Sequence, residues 1–139
     1  MSGVRPERRP VDEAESLRAN RADWDAYADE YQSTHGEFLG DHGFLWGPEG
    51  VREDDVRALG EVTGKDVLEI GCGIGRLTLA YGARARSVLA IEPNAKILAR
   101  ARSRARRAGL GHVRFAARPA QTGIRGGPFD VVLFSWSLC

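Results

Sequence analysis

Val67-Leu68-Glu69-Ile70 runs without a break into Gly71-Cys72-Gly73-Ile74-Gly75, and the stretch Arg76 to Tyr81 behind it has helical composition. A short apolar run, a glycine-rich turn and a helix in that order is the context in which glycines carry chemical meaning. Without a Cβ they accept positive φ and let a ligand approach the backbone, while the helix start beyond them offers unpaired N–H donors. A glycine-rich turn alone is a weak signal, and its position between strand and helix strengthens it.

Reading outward, the same alternation repeats. Asp66 to Ile70, Ser87 to Ile91, Val113 to Ala117 and Asp130 to Phe134 are short apolar runs that read as buried strands, with the last apolar stretch extending from Phe129 to Trp136. Arg76 to Tyr81 and Ala95 to Ala108 read as helices between them. Strands alternating with helices predict an α/β fold with a parallel sheet. The second strand ends at Glu92, about twenty residues beyond the first strand's carboxylate, where doubly wound folds place an acid that accepts hydrogen bonds from ribose hydroxyls. Pro93 ends that strand and keeps Glu92 at the mouth of the sheet, beside the glycine loop.

Upstream, residues 1–11 carry Arg5, Arg8 and Arg9 with two prolines and read as a disordered arm. Residues 12–60 read as a helical and loop extension. Asp12 is a candidate N-cap with Glu15 three residues on, and Leu17, Trp24, Tyr27, Ala28 and Tyr31 fall at roughly helical spacing. The stretch from His35 to Gly50 holds Phe38, Phe44 and Trp46 and reads as a loop that must bury rings somewhere. A short helix after Pro48 is expected to carry Val51, Val56 and Leu59, with Gly60 and Gly64 marking its end. Residues 61–139 then form the sheet domain.

Composition bounds the rest. The 139 residues allow one modest core, and 42% apolar with 28% charged residues is ordinary for a globular chain. No run approaches the roughly 18 apolar residues of a membrane span, so a soluble, cytoplasmic protein is expected. Cys72 and Cys139 make neither a disulfide framework nor a metal set, and Cys72 reads as a small loop filler rather than a nucleophile. His35 and His42, with Asp41, are too few for a metal site and are candidate bases by residue type only. The formal net charge of +1 argues against nucleic acid, although Lys96, Arg100, Arg102, Arg104, Arg106 and Arg107 make one segment basic. Ile97, Leu98, Ala101 and Ala105 supply that segment with an apolar stripe, so its arginines are expected to face outward into solvent. Asp130 reads as a strand-start residue more than as a catalyst.

The pattern Glu69-x-Gly71-x-Gly73-x-Gly75 resembles the first motif of class I S-adenosylmethionine-dependent methyltransferases. It differs from the G-x-G-x-x-G dinucleotide fingerprint, which would want glycine where Arg76 stands. Phe129-Asp130-Val131-Val132-Leu133 is similar to the strand that opens the family's fourth motif. Trp24, Tyr31, His35-Gly36, Phe38-Leu39-Gly40 and Trp46-Gly47-Pro48-Glu49-Gly50 look like the leader of a bacterial subgroup.

The resemblance implies that S-adenosyl-L-methionine is the cofactor, with its methionine part over Gly71, Cys72, Gly73 and Gly75, its amino group near Glu69 and its ribose at Glu92. Trp24, Tyr27, Tyr31 and Trp46 would form an aromatic lid over the cofactor, with core or interface packing as the equal alternative. The family's acid for the adenine amino group is absent from Ala117-Arg118-Pro119-Ala120-Gln121, and Gln121 is the residue there able to accept that bond. The implied reaction is methyl transfer to an acceptor, a small molecule being favoured, with a non-catalytic cofactor-binding remnant and an RNA-modifying enzyme as alternatives. The resemblance further implies a Rossmann-like, doubly wound parallel sheet of order 3-2-1-4 with right-handed crossovers and helices on both faces, and, since the family's sheet has seven strands, a domain whose C-terminal half is missing. The open edge of the fourth strand would then be left to a second copy or a complementing chain.

Overall fold

A computed structural model describes residues 12–19, 21–23, 26, 27, 30, 44–47 and 50–134. The chain divides into two units, residues 1–36 and 37–139. In the first, residues 13–19, 21–23, 26, 27 and 30 are helical and are called α1. The Ser16 N–H donates to the Asp12 carbonyl at 2.9 Å, so the helix begins where the sequence places its cap. Leu17 and Tyr27 are exposed, while Trp24, Ala28 and Tyr31 lie outside the described residues, as do the arm 1–11, His35, Phe38, Asp41 and His42.

In the second unit the elements run α2 (Glu53–Val56), β1 (Asp66–Ile70), α3 (Arg76–Tyr81), β2 (Ser87–Ile91), α4 (Ala95–Arg107), β3 (Val113–Ala116), a 3₁₀ turn (Ala120–Thr122) and β4 (Val131–Phe134). The four strands form one sheet of order β3-β2-β1-β4, and all three pairings are parallel. The expected topology is therefore the observed one, with β1 in the interior. Register places Val67 beside Val88 and Val131, and Glu69 beside Ala90 and Leu133.

Side chains alternate across a strand, so Val67, Val88, Ala90, Val113 and Leu133 share one face. They form a single core with Leu77 and Tyr81 of α3 and Leu98, Ala101 and Ala105 of α4. Burying each large aliphatic chain here stabilises the unit by about 1.5–3 kcal/mol. Residues 50–134 place both α3 and α4 on this one face, where helices on both faces were expected. The reason is the β3–β4 connection, which holds only the Ala120–Thr122 turn. On the opposite face Val132 and Phe134 are exposed, whereas Leu68 and Ile91 are buried.

Element ends differ from the sequence reading in four places, the first being α4, which stops at Arg107 rather than Ala108. β3 stops at Ala116, one residue early. β4 starts after Asp130 because that residue is a polar clamp: its N–H donates to the Asp66 carbonyl at 2.8 Å and its carboxylate accepts from the Asp66 N–H at 2.8 Å. The Asp66 carboxylate in turn accepts from Arg86 and, at 2.7 Å, from Ser87 Oγ. Finally, α2 is a single turn ended by Arg57 at φ 49°, so Val51 and Val56 are exposed and Leu59 alone of the expected stripe enters the core.

Phe44 and Trp46 bury their rings as packing. Their centroids lie 5.0 Å apart, and Phe44 lies 6.4 Å from Tyr81. Glu53 fixes this corner by accepting from Trp46 Nε1 at 2.7 Å and from the Leu59 and Gly60 N–H groups. No helix among the described residues is long and apolar enough to cross a membrane.

Candidate functional site

The site sits where parallel strands end and helices begin. The Gly71 and Cys72 N–H groups both donate to the Ile91 carbonyl, at 2.9 and 3.1 Å, which hangs the turn on the end of β2. Gly71, Gly73 and Gly75 all have positive φ, at 73°, 55° and 78°. Each is a conformation that costs an L-residue roughly 1–2 kcal/mol. Their surroundings differ, however. A Cβ on Gly75 would lie 3.3 Å from Ala101 Cβ, whereas a Cβ on Gly73 would meet no atom within 4 Å. Gly75 is there so that α4 can close on the loop, and Gly73 leaves an open cradle that a side chain would fill.

Glu92 closes the side of this cradle. It is 4% exposed, its Oε2 accepts from the Gly73 N–H at 3.2 Å, and its Oε1 accepts from the Asn94 N–H at 2.9 Å. Asn94 caps α4, its Oδ1 accepting from the Lys96 and Ile97 N–H groups. The structure thus brings together the glycine loop and the second-strand acid that the sequence paired.

Glu69 lies beneath the loop. It is 3% exposed, and its Oε2 accepts from Thr78 Oγ1 at 2.6 Å and Tyr81 OH at 2.7 Å. Burial pushes its carboxyl up to about 7, against the pull of those two hydrogen bonds and the charge of Arg76. Arg76 Nη2 also donates to the Leu45 carbonyl at 3.3 Å. Cys72 is buried, and burial with the nearby charges of Glu69 and Glu92 drives its thiol well above the ordinary range, so it is no nucleophile. Gln121 is exposed on the turn that follows β3, at the same C-terminal end of the sheet. That turn is pinned by Arg118, which donates to the Thr122 and Gly123 carbonyls. Tyr31 lies outside the described residues. Asp130 stands at the opposite, N-terminal end of the strands, remote from the loop by topology.

Sequence reasoning missed four participants. Thr78 and Tyr81 read as ordinary helix residues, although polar groups at i and i+3 share a helix face. Asn94 directly before a helical run is a cap signal. Arg104 donates from Nη1 to the Ile74 carbonyl at 3.0 Å, across 30 residues, and no local pattern announces it.

A family model described as a methyltransferase domain matches residues 67–139. A 23S rRNA (uracil(1939)-C(5))-methyltransferase of Aeromonas salmonicida is 35% identical over 79 residues, 57% of this chain and 16% of the relative. The Aeromonas hydrophila enzyme of the same description is 44% identical over 54 residues, 37% of this chain and 12% of the relative. The chain thus spans less than a fifth of the length of these curated relatives. Among solved structures, a phosphoethanolamine N-methyltransferase of Haemonchus contortus, in complex with phosphoethanolamine and S-adenosylhomocysteine, has a similar fold. Its TM-score is 0.70 at 23% identity, over 89% of this chain and 26% of that one. A protein arginine methyltransferase of Arabidopsis thaliana aligns at TM-score 0.51 and 28% identity, over 55% of this chain and 22% of that one.

Proposed function

The chain belongs to the methyltransferase-domain family, and from that membership we propose that it binds S-adenosyl-L-methionine and transfers its methyl group to a nucleophilic acceptor. The observation that carries the reading is the open cradle at Gly73 with the buried carboxylate of Glu92 at its side. A ligand that needs close backbone approach and two hydroxyl acceptors fits such a pair. Gly71, Cys72, Gly73 and Gly75 would carry the methionine part, Glu92 the ribose and Gln121 the adenine amino group. Tyr31 is proposed for the lid. Glu69 is proposed for the amino group. Its buried position and engaged Oε2 also support a role through the loop and α3.

When bound, the cofactor supplies a methyl group already activated by a positive sulfur. What this chain contributes is alignment and exclusion of water, and effective molarity accounts for much of the acceleration in such sites. The loop is suited to alignment because Ile91, Glu92 and Arg104 each hydrogen-bond its backbone. An acceptor with a high pKa needs a base as well, and His35 and His42 are offered for it by residue type.

The near-neutral net charge supports a small-molecule acceptor. A second reading, an RNA acceptor, is favoured by the concentration of positive charge on α4. It agrees with the names of the rRNA-modifying relatives.

Calorimetric titration with S-adenosylmethionine tests the proposal. The parent chain should bind, and Glu92→Ala should bind about 10- to 100-fold more weakly, as loss of a charged hydrogen bond worth about 1.5–3 kcal/mol implies. A thermal melt of each protein separates loss of the site from loss of the fold. Equal affinities in two folded proteins would remove Glu92 from the site.

A further inference from the structure

The outer face of α4 is strongly and uniformly basic. Lys96, Arg100, Arg102, Arg106 and Arg107 are exposed along it, Arg104 is half-buried, and the helix contains no acidic residue. With a formal net charge of +1 for the whole chain, everything outside this helix is net acidic. The ion pairs among the described residues join Arg86 to Asp66 and Asp130, and none involves α4.

Such a face costs stability. Like charges one helical turn apart, as at Arg100, Arg104 and Arg107, destabilise a helix by a few tenths of a kcal/mol per pair. Lys96 in the first turn stands at the positive end of the helix dipole. The repulsion leaves a trace at Arg104, whose guanidinium is held below its ordinary value by burial and then by Arg100 and Arg107. A solvated face needs none of this, since a few interspersed acids would relieve it.

An open groove of about 380 Å³ runs along this face, lined by Ala99, Arg100, Ser103, Arg104 and Arg107. Arg104 joins the groove to the site, because it also donates to the Ile74 carbonyl within the glycine loop. From Lys96 to Arg107 the helix rises roughly 16 Å at 1.5 Å per residue, room for several successive phosphates. Planar guanidinium groups bind phosphate oxygens in pairs, which ammonium groups do not. A lipid surface is disfavoured, because membrane-lying helices present large apolar side chains among their cations. Here Ile97, Leu98, Ala101 and Ala105 are all buried in the core.

We infer that the α4 groove, centred on Arg100 and Arg107, is a docking surface for the phosphodiester backbone of RNA. The choice of RNA rests on the second reading of the acceptor given above. The groove would hold the RNA backbone beside the glycine loop, leaving the base to be chosen elsewhere.

The test is fluorescence anisotropy of the full chain with a labelled 20-nucleotide oligouridylate, without cofactor, between 50 and 200 mM salt. Calorimetry with S-adenosylmethionine is run on the same proteins, so failure of RNA docking and failure of cofactor binding are read separately. Arg100→Gln/Arg107→Gln should weaken RNA binding at least about 10-fold. It should also flatten the slope of log affinity against log salt by about 1.4, at about 0.7 for each single-strand phosphate that is no longer neutralised. Arg52→Gln/Arg125→Gln removes the same charge from exposed positions elsewhere and should change neither by more than about 2-fold. The inference is overturned if the α4 variant binds RNA as the parent does, or if the two double variants lose affinity equally. Phosphatidylserine vesicles form the second arm: binding to them that depends on Arg100 and Arg107, with no such dependence for RNA, would assign the face to a membrane instead.

Discussion

Gly73 and Gly75 share a left-handed backbone and part company in what surrounds them, which makes them separable by experiment. Alanine at either position costs about 1–2 kcal/mol for its positive φ. At Gly75 the new methyl also presses on Ala101 of α4, so Gly75→Ala should show the lower melting temperature. Gly73→Ala should melt closer to the parent and yet lose cofactor affinity, since its methyl enters the cradle. Thermal melts paired with calorimetry read both effects, and the reverse order would contradict the assignment of the open side. Glu69 gives a second prediction at this scale. Its carboxyl is raised from 4.5 to about 7 in the folded chain, so the folded state keeps a proton that the unfolded state releases. Its contribution is full below about 4.5 and is lost as pH climbs toward 7, by on the order of 3 kcal/mol at most. Asp66 has the opposite sign and titrates lower, held down to about 2 chiefly by Arg86, so it does not enter this window. Urea denaturation at pH 4.5, 5.5 and 7 should therefore show a falling stability that Glu69→Gln flattens. An unchanged slope in the variant would place the titration elsewhere.

Among the elements, α4 is the one most fully legible from sequence, because Ile97, Leu98, Ala101 and Ala105 recur at helical spacing and are all buried. Its cap was legible too, though unread: Asn94 satisfies two of the orphan N–H groups at the helix start. Asn94→Ala should cost about 1 kcal/mol in chemical denaturation while leaving the backbone bond from residue 94 to Glu92 in place. Strands were legible because short runs of Val, Leu and Ile bounded by Gly, Pro and charge have few other solutions. The segment before β1 was read less well, since α2 is a single turn too short to express a period. Its rings are placed by contacts that no pattern encodes, such as Glu53 with Trp46 and Phe44 with Tyr81. The same holds at the site. The pairing of the loop with Glu92 followed from topology, whereas the partners of Glu69 and the reach of Arg104 depend on how α3 and α4 pack.

At the scale of the whole sheet, the parallel α/β class was legible in the alternation of apolar runs and helices, and the strand order in the family resemblance. The connection between β3 and β4 holds only the Ala120–Thr122 turn among its described elements, and the sequence gap between those strands does not announce what fills it. The order itself has a kinetic consequence. The Asp66 carboxylate joins β1 to β2 across 21 residues, while its backbone N–H joins β1 to β4 across 64. Closing the longer loop costs about 1 kcal/mol more chain entropy, so β4 is expected to dock after β1, β2 and their helices have condensed. A cavity cut in each region tells the two stages apart by stopped flow. Val88→Ala should slow refolding, whereas Leu133→Ala should leave refolding nearly unchanged and hasten unfolding. Of the described strands, the last to arrive would then be the first to leave, and the lifetime of the native state would be set at β4, the one farthest along the chain from the glycine loop.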